Sequence, residues 1–170
     1  MRRFLVAVLA GVLAWAAPAQ ASHRQASYEG LVRWAGCEAR LVTRDDIPTA
    51  ASIYSPERYT LYIGTEETEG LRSELAEMIL FHEIGHCLQD QMGGIEPGVR
   101  TELDADRYAA QLACALGRDG VALLREVFEW ARGNFGYDGD PGHGTLAQRI
   151  SQGQNATFCK KPGLQAPFHS

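Results

Sequence analysis

The sequence predicts an α+β fold, mainly helical, with a small β-sheet or hairpin ahead of a long central helix. Three observations carry this. Two short β-prone runs, Ala51–Tyr54 and Tyr59–Ile63, flank the turn-like Ser55-Pro56-Glu57-Arg58. The stretch Leu71–Gln91 is strongly apolar at helical spacing. Two further helical patterns follow it, over Thr101–Leu116 and Val121–Arg132.

The first element is not expected in the mature protein. Arg2 and Arg3 precede an almost unbroken apolar run from Phe4 to Ala17, and Ala19-Gln20-Ala21 is a small-x-small cleavage site. Residues 1–21 therefore read as a secretory signal peptide, too short to span a bilayer comfortably. The expected location is periplasmic or secreted, with no stable membrane insertion after cleavage. Residues 22–170 are the size of one domain. Removing Arg2 and Arg3 takes the net charge from −5 to −7. An acidic domain without a basic cluster is a poor partner for nucleic acid or anionic lipid.

Ser27–Thr43 mixes apolar and charged residues and fits a first helix or strand. The two β-prone runs then read as a hairpin that Gly64 ends. In the long helix, Leu71, Leu75, Met78, Ile79, His82 and His86 share one face. Leu80, Phe81, Ile84 and Leu88 make much of the remaining surface apolar, so this helix is expected to be central. Gly93-Gly94 stops it. Thr101 with Asp104 three positions on resembles a capping box at the start of the next helix, which Gly117 ends. The third helix turns Val121, Leu124, Phe128 and Ala131 inward. Gly133–Gly144 reads as a Gly/Asp-rich loop, suited by composition to act as a lid, and Thr145–Ser151 as a short helix. The tail from Asn155 is irregular. Four cysteines, Cys37, Cys87, Cys114 and Cys159, suit two disulfides in an oxidising compartment, with three connectivities open.

The chemistry concentrates in His82-Glu83-Ile84-Gly85-His86. Histidines four apart on a helix lie one turn apart on one face and can bind the same ion. Glu83, one position on, can reach a water at that ion without becoming a ligand. Gly85 removes bulk between the histidines, so another element can approach. Two neutral histidines buried together need hydrogen-bond partners, and a metal explains both. A catalytic zinc takes three protein ligands and keeps one open position. The third ligand must come from Glu96, Glu102, Asp104 or Asp106. Glu102 and Asp106 share a helix face, whereas Asp104 points roughly 200° away from Glu102 at about 100° per residue. On that face Glu102 would bind zinc, and Asp106 would accept a hydrogen bond from the far nitrogen of a ligand histidine.

This pattern, followed by Glu102-Leu103-Asp104-Ala105-Asp106-Arg107-Tyr108-Ala109-Ala110, resembles the gluzincin metallopeptidases. The nearest likeness is to the family of the HtpX heat-shock protease and the CAAX prenyl proteases. That family has HExxH, then ExxAD, then a His-Pro segment with Arg-Ile six and seven residues after the histidine. Here His143, Arg149 and Ile150 keep that spacing, with Gly144 in place of the proline. The likeness covers about Tyr59 to Ile150. It implies a zincin-like metallopeptidase domain over 22–170 with one Zn2+ per chain, held by His82, His86 and Glu102. Glu83 is then the general base, and His143 the second donor to the oxyanion, with Tyr137 in reserve. It further implies that an edge strand beside the zinc helix pairs with extended substrate, and Tyr59–Ile63 stands at a suitable distance for that role. The expected function is hydrolysis of peptide bonds in periplasmic or secreted proteins. The alternatives are a zinc-containing binding or assembly protein without turnover, and a zinc hydrolase acting on cell-wall peptide.

Overall fold

The computed structural model describes residues 27–44, 50–53, 59–64, 71–93 and 98–154. The signal segment 1–21, the hairpin turn 55–58, the candidate ligand Glu96, the tail from Asn155 and Cys159 lie outside the described residues. The fold is α+β and mainly helical with a small sheet. In chain order the elements are α1 (27–34), β1 (Ala39–Arg44), β2 (Ala50–Ile53), β3 (Tyr59–Gly64), α2 (Ser73–Gln91), α3 (Val99–Ala115), α4 (Gly120–Phe135), β4 (Gly139–Asp140), β5 (Gly144–Thr145) and α5 (Leu146–Gln154). The ambiguous stretch Ser27–Thr43 resolves into both a helix and a strand.

The two β-prone runs do pair as antiparallel neighbours, with Ser52 opposite Leu61. The sheet has a third strand: β1 lies parallel to β3, with Leu41 opposite Leu61. The order β1-β3-β2 puts Tyr59–Gly64 in the centre. This corrects the expectation that Tyr59–Ile63 is a substrate-pairing edge, because both its sides are already hydrogen-bonded. Tyr59, Leu61 and Ile63 alternate inward, as a strand with one buried face requires. They join Met78, Leu80, Phe81 and Ile84 of α2 in a shared hydrophobic core.

Helix α2 is central, as its all-round apolar sequence requires. Leu75, Ala76, Met78, Leu80, Phe81 and every residue from Glu83 to Leu88 are buried. It packs along α3, which in turn carries α4 and α5. Two glycines permit these contacts. A Cβ on Gly85 would stand 2.9 Å from Ala105 Cα, and one on Gly120 would stand 2.2 Å from the Ala110 carbonyl oxygen. Backbone therefore meets backbone where α2 crosses α3 and where α4 starts against it.

Helix α3 begins two residues before Thr101, with Gly98 at the N-cap and no side-chain cap bond. The expected capping box does not form. Thr101 N–H already donates to the Gly98 carbonyl at 3.0 Å, and Asp104 pairs with Arg107 at 3.2 Å. Helix α4 is capped by Asp119, whose carboxylate accepts from Ala122 N–H at 3.0 Å. It runs on to Phe135 and stops at Gly136, where φ is 65°. Its buried residues are Gly120, Leu123, Leu124 and Phe128, with Val121 and Ala131 half-buried. The predicted loop Gly133–Gly144 holds the end of this helix and then a small hairpin, β4 against β5.

Candidate metal centre

Helices α2 and α3 meet at Gly85 and Ala105, and the ligand candidates flank that crossing. His82 and His86 project from one side and Glu102 from the other. His82 Nε2 lies 3.2 Å from Glu102 Oε2, His86 Nε2 lies 3.4 Å from Glu102 Oε1, and the two Nε2 atoms are 3.2 Å apart. A tetrahedral ion with bonds of about 2.0–2.1 Å separates its ligands by about 3.3 Å. The spacing therefore fits one small ion at the centre of the three. The donor set agrees: Glu102 Oε2 is buried without a hydrogen bond among the described residues, although an imidazole nitrogen is close by. Close approach without a hydrogen bond is how ligands around a common ion are arranged. His82, His86 and Glu102 could hold a metal ion. Among the described residues no cysteine is free, so none of these takes part.

Each histidine is oriented from behind. His82 Nδ1 donates to Asp106 Oδ1 at 2.9 Å. His86 Nδ1 donates to Gln89 Oε1 at 3.1 Å, and Gln89 Nε2 donates to the Thr101 carbonyl at 2.9 Å. With both Nδ1 atoms committed to acceptors, both Nε2 atoms are free to face the ion. Asp106 is fully buried and is gripped by Arg149 of α5, whose Nε and Nη2 donate to its two oxygens at 2.7 and 2.8 Å. Arg149 Nη1 donates to Tyr137 Oη at 3.3 Å and the guanidinium stacks on Phe128. Tyr137, the reserve oxyanion donor, thus has its hydroxyl on Arg149.

The charges are strongly coupled. Burial disfavours the His82 imidazolium, but the carboxylates of Asp106 and Glu102 outweigh it and raise His82 from 6.5 to about 9. Burial would raise Glu102 and Asp106. Instead His82 and His86 hold Glu102 well below the carboxylate range, and His82 and Arg149 depress Asp106. Both acids are therefore ionised at neutral pH and act as acceptors or ligands.

Glu83 is buried beside the histidines, with 8% of its surface exposed. His143 sits on the β4–β5 hairpin with its Nε2 4.0 Å from Glu102 Oε2. It stands outside the candidate group whose ligand atoms lie within 4.8 Å of one another, so it borders that group without joining it. Gly144 follows it at φ 83°. Proline, with φ fixed at about −65°, cannot adopt that angle. Asp104 is on the other side of α3 with Arg107.

The Cys37–Cys87 disulfide ties the end of α1 to the helix that carries the histidines. Gln91 reinforces this joint, accepting from Glu38 N–H at 3.0 Å and donating to the Gly36 carbonyl at 3.2 Å. Cys114 on α3 is disulfide-bonded too.

Sequence reasoning missed Gln89, Asp140 and the part played by Arg149. Gln89 had a signal, since position i+3 from His86 lies on the same helix face. Arg149 is 43 residues from Asp106, and nothing local connects them. No helix among the described residues is long and apolar enough to cross a membrane. Comparison with family models, with curated proteins and with solved structures finds no match to this chain.

Proposed function

We propose that this protein is an exported zinc metallopeptidase with a zincin-like fold that hydrolyses peptide bonds in periplasmic or secreted proteins. The observation that carries the reading is the near-tetrahedral spacing of His82, His86 and Glu102 with a buried carboxylate, Glu83, adjacent in the chain. Two imidazoles and a carboxylate form the donor set of catalytic zinc sites, which leave one position open. When bound, zinc supplies Lewis acidity to the scissile carbonyl and to the attacking water.

The chain's own groups do the rest. Glu83 takes the proton of the attacking water and returns it to the leaving amine. His143 Nε2 meets the carbonyl oxygen as it gains charge. Asp106 and Gln89 keep both ligand rings turned with Nε2 inward. Substrate in extended form adds to the outer edge of β2, the edge strand that packs on α2.

The test is zinc content and peptide hydrolysis of the protein and of Glu83→Gln. The expected result is about one zinc per chain in both. Hydrolysis should be present in the parent protein and reduced by about 10²–10⁴-fold in Glu83→Gln. Full activity in the variant removes Glu83 as the base. A chain that neither holds nor takes up zinc removes the whole reading.

A further inference from the structure

The Cys37–Cys87 disulfide closes a ring that ends immediately after the second candidate ligand. The two cysteines are 50 residues apart in the chain. The ring encloses all three strands of the larger sheet together with α2 as far as His86. His82 and His86 lie inside it, and Glu102 lies outside it on α3. The last turns of α2 are held from two sides. On the α3 side, Gln89 accepts from His86 Nδ1 at 3.1 Å and donates at 2.9 Å to the carbonyl of Thr101, the neighbour of Glu102. On the α1 side, Cys87 carries the disulfide, and Gln91, one turn on, bonds Gly36 and Glu38. Gln91 is exposed, so water can replace its bonds. Cys37 and Cys87 are buried. Among the described residues, the disulfide is thus the one covalent hold on the helix that carries both histidines, and it acts near that helix's end, where helices fray.

We propose that oxidation of Cys37 and Cys87 is the loading step of the metal centre: the site binds its ion tightly only once this bond has formed. The two thiols give up two electrons and two protons to a disulfide of a thiol–disulfide oxidoreductase. The partner's S–S bond breaks as the Cys37–Cys87 bond forms, by way of a mixed disulfide. With both sulfurs buried in the finished fold, the exchange belongs before the core closes. Ring closure removes the conformations in which the sheet and the histidine-bearing turn lie apart. Ligation then has only to join that turn to Glu102 across the helix crossing. A site that is assembled in only a fraction of molecules binds more weakly by that fraction. Binding is therefore weak while the turn is free and tight once it is pinned. Linkage makes the coupling reciprocal, so a bound ion protects the disulfide from reduction by the same factor. The inference rests on the metal-binding reading of His82, His86 and Glu102, and is independent of what the protein hydrolyses.

The test measures zinc affinity, by competition with a chromophoric chelator, in the parent protein and in the double variant Cys37→Ala/Cys87→Ala. Circular dichroism of the zinc-free chains reports how much of each is folded. The expected result is a folded double variant whose zinc affinity is about tenfold or more below that of the parent. Equal affinity in a folded double variant overturns the proposal, since a bond that is only structural lowers the unfolding temperature and leaves the folded site unchanged. Because the variant can fail to fold, a reciprocal measurement is made on the parent protein alone. The chain is equilibrated in glutathione buffers of graded ratio, with and without zinc, and Cys37 and Cys87 are scored by alkylation and mass mapping. Zinc should shift this pair about tenfold or more toward the disulfide. An unshifted ratio, or a shift toward the thiols, overturns the proposal. A parent protein that binds no zinc with the bond intact removes the metal reading, and the proposal with it. Zinc binding and both shifts without peptide hydrolysis remove the peptidase reading alone and leave the loading step standing.

Discussion

The two histidine–aspartate pairs of this protein have nearly the same contact distance and opposite surroundings. His82 and Asp106 are 2.9 Å apart with side chains 16% and 1% exposed. His143 and Asp140 are 2.7 Å apart with side chains 49% and 41% exposed. Asp106 also carries a two-point bond from Arg149, itself buried. Asp140 has backbone N–H groups of its own turn instead. Distance alone would rank the exposed pair as the tighter. Burial reverses the ranking, because a charge removed from water has no solvent to replace a lost partner, whereas an exposed one does. The buried pair is therefore part of what holds the helices in place. The exposed pair aims a ring without holding the fold.

Removing each partner should expose that difference. The largest effect is expected for Asp106→Ala, which strands buried Arg149 and frees the His82 ring. Chemical denaturation should show a loss of about 3–5 kcal/mol, and metal affinity should fall about 10–100-fold. Because Asp106 is depressed below 3.8 in the folded chain, its contribution is full above the unfolded value and is lost as pH falls through the folded one. The gap between parent and variant should therefore close in acid. An unchanged midpoint at neutral pH would break the ranking by burial.

Gly85→Ala comes next. The added methyl meets Ala105 backbone at 2.9 Å, so α2 and α3 must separate, at a cost of about 1–3 kcal/mol. Metal titration should show weaker binding, since Glu102 moves away with α3. Unaltered affinity would mean that the ligand spacing does not depend on the helix crossing.

The effect of pH on the metal centre should have two signs in one window. His82 is raised from 6.5 to about 9 in the metal-free fold. The stabilisation from its protonated form is full below 6.5 and is lost as pH rises through about 9. An ion needs the neutral ring, so metal affinity should rise over the same span, by about tenfold per unit for one displaced proton. Thermal unfolding of the metal-free protein and metal titration at each pH check the two slopes. Slopes of the same sign would show that His82 is not the proton-coupled ligand.

The smallest stability effect is expected for Asp140→Ala. Its unfolding midpoint should stay close to that of the parent protein, because the pair is solvated on both sides. A loss as large as that of Asp106→Ala would mean that the hairpin is structural and would erase the distinction between the pairs.

Much of the site was legible because its parts are local. His82, Glu83 and His86 fall on adjacent turns of one helix, and helix periodicity separates Glu102 and Asp106 from Asp104 without tertiary information. The long helix, the antiparallel pairing of the β-prone runs and the third helix follow from patterns of hydrophobic spacing. Boundaries were less legible. Thr101 and Asp104 match a cap by composition, but α3 starts earlier because the backbone at Gly98 already accepts the first bonds. The position of Tyr59–Gly64 in the sheet was illegible, since period-two alternation marks a half-buried strand without saying how many neighbours it has.

The sequence by itself determined which residue types could bind a metal, which of them share a face, and that the helix carrying the histidines is buried. These are consequences of the chain's local geometry and of where apolar side chains recur. Only the tertiary structure decided how those faces meet. It set Gly85 against Ala105, brought Arg149 across 43 residues to Asp106, chose Cys37 as the partner of Cys87, and carried His143 to Glu102 on a hairpin turned by Asp140. Each of these is a contact between elements remote in the chain. Its energy comes from packing and charge pairing that exist only once the core has closed.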